Sequence, residues 1–160
     1  MDSVIKDLGP QMLVGKFLEM NFVQNNTVAL WRSFMPLKNS IANQKTEVLF
    51  SVEIYPVNFS FTEFNPTINF IKWAAVEVNN FEDIPDGMSK LLIPGGLYAE
   101  FIYKGPANQA GDFYRKIFMD WLPSSIYVID SKPHFAVMGS KYKHNDPDSE
   151  ENIYIPLRLR

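Results

Sequence analysis

The chain has no cysteine, and only two histidines and eight glycines in 160 residues. Without cysteine there can be no disulfide, thiolate nucleophile or sulfur-ligated metal. The two histidines, His134 and His144, lack the paired helical spacing of a metal motif, so no metal is expected. Positive charge is also scarce: 15 Lys and Arg stand against 18 Asp and Glu, a net charge of −3. Proteins that track phosphates usually carry a basic surface, so direct nucleic-acid binding is not expected. No apolar run approaches the roughly 20 residues that span a bilayer. The opening MDSVIKDLGP holds acids and no apolar stretch, unlike a secretory signal. Residues 1–10 read as a loosely ordered tail, and a cytoplasmic protein with no membrane partner is the expectation. Gly95 and Gly96 precede a strand rather than a helix, so no phosphate-binding loop forms there. No Ser-His-Asp order appears, and the run Asp146, Asp148, Glu150, Glu151 lacks the central glycine of a calcium loop. No cofactor and no catalytic residue is therefore assigned.

What the chain does have is aromatic residues: 13 Phe, 7 Tyr and 3 Trp, or 14% of the sequence. Most of the Phe are explained by core packing. Tyr and Trp carry polar groups that need partners when buried, which makes them candidates for a binding surface.

Periodicity divides the chain into elements. Residues 11–20 read as a strand. Thr27, Leu30, Trp31 and Phe34 form one stripe of a helix over 24–36, weakened at Pro36. In 47–55, Val48, Phe50, Val52 and Ile54 alternate with Leu49, Ser51, Glu53 and Tyr55. A proline-bearing loop (56–68), a strand (70–78), a turn-rich stretch (79–96) and a strand (97–103) follow. A second helix over 108–121 carries Phe113, Ile117 and Trp121 and stops at Pro123. Strands over 125–130, 134–140 and 151–158 complete the chain.

This order predicts one α+β domain over 1–160. Two pseudo-symmetric β-α-β-β units form an antiparallel sheet, with two helices on one face and a ligand cleft on the other. Strand parity then selects Glu53, Tyr55, Trp73, Glu77, Asn152 and Tyr154 for the cleft, where polar and aromatic groups would converge. Trp31 and Trp121, on the helix stripes, read as core.

The segments IPGGLYAEFIYKG, FYRKIFMDWLPSSIYVIDSKPHFAV and KYKHNDPDSEENIYIPLR, preceded by LWRSFMP and FIKWAAVEV, resemble in order and spacing the GyrI-like, or AraC-type effector-binding, domain. The resemblance covers about residues 10–158. It implies two β-α-β-β copies with a cleft between them, and a bacterial drug- or metabolite-sensing role in transcription regulation. In regulators of that type the domain is fused to a helix-turn-helix module. Here the domain fills the 160 residues, which implies a stand-alone member. The family commonly places acids at two pocket positions that match Ser140 and Asn152 here, while the aromatic at Tyr154 is kept. Glu151 neighbours Asn152, but alternation turns it to the opposite face. Strand parity and the resemblance together give the expected ligand-binding residues Glu53, Tyr55, Trp73, Glu77, Ser140, Asn152 and Tyr154. The pocket would be less anionic unless Glu53, Glu77 or Glu100 restores charge.

The expected partner is a small amphipathic or aromatic molecule. Two alternatives stand beside this reading. One is a small hydrolase using a cleft carboxylate. The other is a protein-interaction module, such as a topoisomerase inhibitor or the partner of a separate regulator.

Overall fold

A computed structural model describes all residues, 1–160. Nine strands and two helices follow in chain order. They are β1 (Val4–Leu8), β2 (Gln11–Met20), α1 (Thr27–Phe34), β3 (Leu49–Ile54), β4 (Phe70–Glu77), β5 (Ser89–Ile93), β6 (Gly96–Lys104), α2 (Ala110–Lys116), β7 (Tyr127–Ile129), β8 (His134–Met138) and β9 (Glu150–Leu159). The strands form one sheet in the order β1-β6-β9-β8-β3-β4-β2-β5, with β7 added against β9. Every pairing is antiparallel. From the central β8–β3 pair outward, β8, β9, β6 on one side mirror β3, β4, β2 on the other. The two β-α-β-β halves are therefore related by a pseudo-twofold axis, and the α+β expectation is met.

Two segments are more regular than the sequence indicated. The N-terminal residues are not a loose tail: β1 pairs with β6, from Val4 opposite Glu100 to Leu8 opposite Gly96. The turn-rich stretch contains β5, which pairs with β2. Both are short edge strands, and their backbone bonds are to strands far along the chain.

Each helix covers one half of the same sheet face. α1 buries Leu30 and Phe34 against Val14, Ala74 and Val76. α2 and the π-turn that continues it (Ile117–Trp121) pack Ile117 and Trp121 against Phe101, Ile153 and Ile155. Beyond Pro123, the Ser124 hydroxyl donates to the Asp120 and Trp121 carbonyls at 3.0 and 2.9 Å. That satisfies acceptors left open where a helix ends.

The opposite face is closed, which corrects the expected location of the cleft. The sheet curls until the β1–β2 and β5–β6 connections touch. A Cβ on Gly95 would lie 2.7 Å from the Leu8 carbonyl oxygen, so only glycine fits that crossing. The space enclosed by the curl is a packed core of Leu13, Phe50, Val52, Trp73, Ile93, Tyr98 and Phe135. No helix is long and apolar enough to cross a membrane.

Candidate functional site

The main cleft, about 1140 Å³, opens between α1 and α2 on the helix-bearing face. Its position follows from side-chain size in the two central strands. Ser51 of β3 lies opposite Ala136 of β8, and Ala74 flanks Ser51 from β4. These small residues form a low floor where the two helices part. Trp31, Val28 and Met35 come from α1 and the turn after it, and Tyr114, Ala110 and Ala107 from α2 and its approach. Met138, Gly139, Ser140, Tyr142 and His144 line the remaining end.

Charge collects on the floor. Glu53 and Lys72, opposite each other in β3 and β4, form an ion pair at 2.8 Å with each side chain 15% exposed. Glu151 also lines the cleft but joins no such pair. Burial raises its carboxyl above the usual range, the Glu53 charge raises it further, and Lys72 opposes both. The Tyr114 hydroxyl feels Glu53 and Glu151 together; burial first, then those charges and Tyr55, push it well above the usual phenol range. Tyr55 is raised in the same way, by burial and then by Glu53.

An aromatic cluster closes the floor at the β3 end. Tyr55 packs on Phe59 at 4.6 Å and on His134 at 5.0 Å. Phe61, from the β3–β4 loop, stacks on Phe118 at 4.5 Å and on His134 at 5.1 Å. The loop thus reaches from the first half to the helix of the second. His134 is 6% exposed, and burial lowers its imidazole to about 3, so it is neutral and part of the packing.

The residues singled out from the sequence fall in two places. Glu53 and Ser140 line the cleft, and Tyr55 sits at its closed end. Trp73, Glu77, Asn152 and Tyr154 lie on the opposite face. Trp73 is buried beside Phe17, with ring centres 4.8 Å apart. Glu77 approaches Lys45 at 3.9 Å. Tyr154 stacks on Phe135 at 4.7 Å and donates its hydroxyl to Glu100. Asn152 and Lys6 also donate to Glu100, at 3.5 and 3.1 Å. Burial by itself would raise the Glu100 carboxyl, but these bonds and the Lys6 charge outweigh it and lower it. Glu100 is thus held by partners away from the cleft.

Sequence reasoning missed Glu151, Lys72, Tyr114 and Trp31 as cleft residues. The alternation was read correctly and the face of β3 was assigned rightly, but for β4 and β9 the face turned away from the cleft was chosen. Ile153 and Ile155 pack under α2, and Glu151 shares their parity; that apolar pair was the available signal. No group of three or more His, Asp or Glu side chains is arranged to hold a metal.

Comparison with known proteins fits this geometry. The profile of the GyrI-like small molecule binding domain matches residues 1–158. The transcriptional regulator BrlR of Pseudomonas aeruginosa is 25% identical over 129 residues, covering 80% of this chain and 45% of BrlR. The chain thus spans less than half of that regulator. Among solved structures, SAV2435 bound to tetraphenylphosphonium superposes with a TM-score of 0.74 at 15% identity, covering 99% of this chain and 94% of that one. EcmrR in its complex with DNA gives 0.73 at 14% identity, covering 99% of this chain and 58% of EcmrR. At these identities the two superpositions establish a shared fold. With two β-α-β-β halves, a cleft between their helices and a profile match over nearly every residue, the chain belongs to the GyrI-like small molecule binding domain family.

Proposed function

We propose that the cleft binds an amphipathic aromatic molecule carrying a positive charge, with Glu151 as its counter-charge. The observation that carries this reading is a half-buried carboxylate without an ion-pair partner, set among Trp31, Tyr114 and Tyr142 in a cleft of ligand size. Glu53 is occupied by Lys72, which leaves Glu151 as the acid of the floor without an ion-pair partner. A cation entering there gains Coulomb attraction and lies against ring faces, each worth about 0.5–2 kcal/mol. The ligand-bound SAV2435 structure supports the same class of ligand for this chain. Its relation to BrlR supports a role for ligand occupancy as a regulatory signal in a bacterial cytoplasm.

The test is thermal unfolding with tetraphenylphosphonium and with uncharged triphenylphosphine oxide. At a hundredfold excess over Kd, a true ligand stabilises the fold by about 2.7 kcal/mol. The cation should stabilise more than the oxide, and Glu151→Gln should remove most of the difference. No stabilisation by any aromatic cation would refute the reading.

Hydrolysis is the second reading. It is favoured by the raised Glu151 carboxyl, which suits a proton donor. It predicts release of product from a strained-ring or ester substrate, abolished in Glu151→Gln.

A further inference from the structure

We infer that the cleft selects cations bearing N–H donors, a protonated amine or amidine on an aromatic body, over permanently charged cations that have none. This rests on the cation-binding reading above and narrows its ligand class.

Three tyrosine hydroxyls already have partners within the protein. Tyr98 donates its hydroxyl to the Pro133 carbonyl at 2.9 Å, Tyr103 to the Pro106 carbonyl at 2.7 Å, and Tyr154 to Glu100. All three lie away from the cleft. Tyr114 and Tyr142 line the cleft, and only burial and neighbouring charge act on their hydroxyls, with no hydrogen bond from the protein. The acids divide in the same way. Glu100 has three donors and Glu53 has Lys72, whereas Glu151 is reached only through space, by Glu53 and Lys72. Glu47, the other unpaired acid of the lining, is exposed to solvent, so the half-buried acceptor groups that water alone can serve are one carboxylate and two phenol oxygens.

A ligand that covers these groups displaces that water. An ammonium or amidinium replaces it with charge-assisted N–H···O bonds to Glu151 and further bonds to the phenol oxygens. A cation sheathed in C–H groups strips the water and returns no bond, leaving acceptors unsatisfied. A site built around hydrogen-bonding groups rejects an analogue that lacks the matching donors for the same reason. The low floor at Ser51 and Ala136 leaves a small charged head room to reach Glu151, while the aromatic body lies between Trp31 and Tyr114.

Three ligands with one biphenylmethyl body separate donor count from charge: the primary ammonium, the N,N-dimethylammonium and the N,N,N-trimethylammonium. Calorimetric titration of the full chain near neutral pH should give affinities in that order. The primary amine should exceed the trimethyl compound at least tenfold, equivalent to about 1.4 kcal/mol. In Glu151→Gln the gap should shrink to threefold or less. Tyr114→Phe, which keeps the ring, should narrow it to a smaller extent. Equal or reversed affinities in the native protein would overturn the inference and leave the cation-binding reading intact. A gap unchanged in both variants would overturn it too, because methyl bulk would then set the order. If tetraphenylphosphonium binds and none of the three amines does, the inference also fails. If none of the four binds, the underlying reading fails with it.

Discussion

Replacing Lys72 with methionine tests the electrostatics of the cleft floor most directly. At 2.8 Å and an effective dielectric of about 20, the Lys72–Glu53 attraction is roughly 6 kcal/mol. Desolvation of the two charges cancels much of it. Breaking a fully buried pair by removing one partner costs about 3–5 kcal/mol, because the other charge is stranded. Both side chains here are 15% exposed and face an open cleft, so solvent screening reduces the expected loss to about 2 kcal/mol. For a domain of this size that is a fall in Tm of about 4–8 °C. Adding Glu53→Gln should recover at least half of the loss, since the double variant strands no charge. Urea unfolding of the native protein, both single variants and the double variant gives the coupling energy directly. Lys72→Met within about 0.5 kcal/mol of the native protein would refute the reasoning, as would strictly additive single effects. Removing this positive charge beside Glu151 should also tighten aromatic cations severalfold, as read by calorimetry.

Three further outcomes follow from the packing. The neutral, buried His134, lowered from 6.5 to about 3, stabilises the fold fully above its ordinary value. That stability is lost as pH falls toward the lowered one, at up to about 1.4 kcal/mol per pH unit, and His134→Phe should flatten the profile measured by urea unfolding. Phe61→Ala removes a ring stacked on both Phe118 and His134; it should cost about 2 kcal/mol in thermal unfolding, with Phe61→Leu losing less than half as much. Gly15→Ala would put a Cβ 2.7 Å from the Ala75 Cα, where β2 pairs with β4 and β5 at once, so it should cost more than about 3 kcal/mol or prevent folding, as seen by circular dichroism.

Much of this could be read from local pattern. The two helices, the central and C-terminal strands and their parity all come from alternation and stripe spacing, which depend only on residues close in sequence. Leu49, Ser51 and Glu53 were correctly grouped on one face of β3, and Asn152 and Tyr154 on one face of β9. Strand β1 was missed because an edge strand depends on its distant partner, here β6, more than on its own composition.

By itself, then, the sequence determined the fold class, the two-half plan, the family and which residues share a strand face. Only the tertiary structure decided which face is open. The sheet curls until its edges meet, and that curl fills the face carrying Trp73 and Tyr154 with core. The cleft is left between the helices, over Ser51 and Ala136. The curl arises from contacts between residues such as Leu8 and Gly95, far apart in the chain, which no local periodicity encodes. The same step turned Glu151, dismissed on parity, into the unpaired carboxylate on which the proposed ligand chemistry depends.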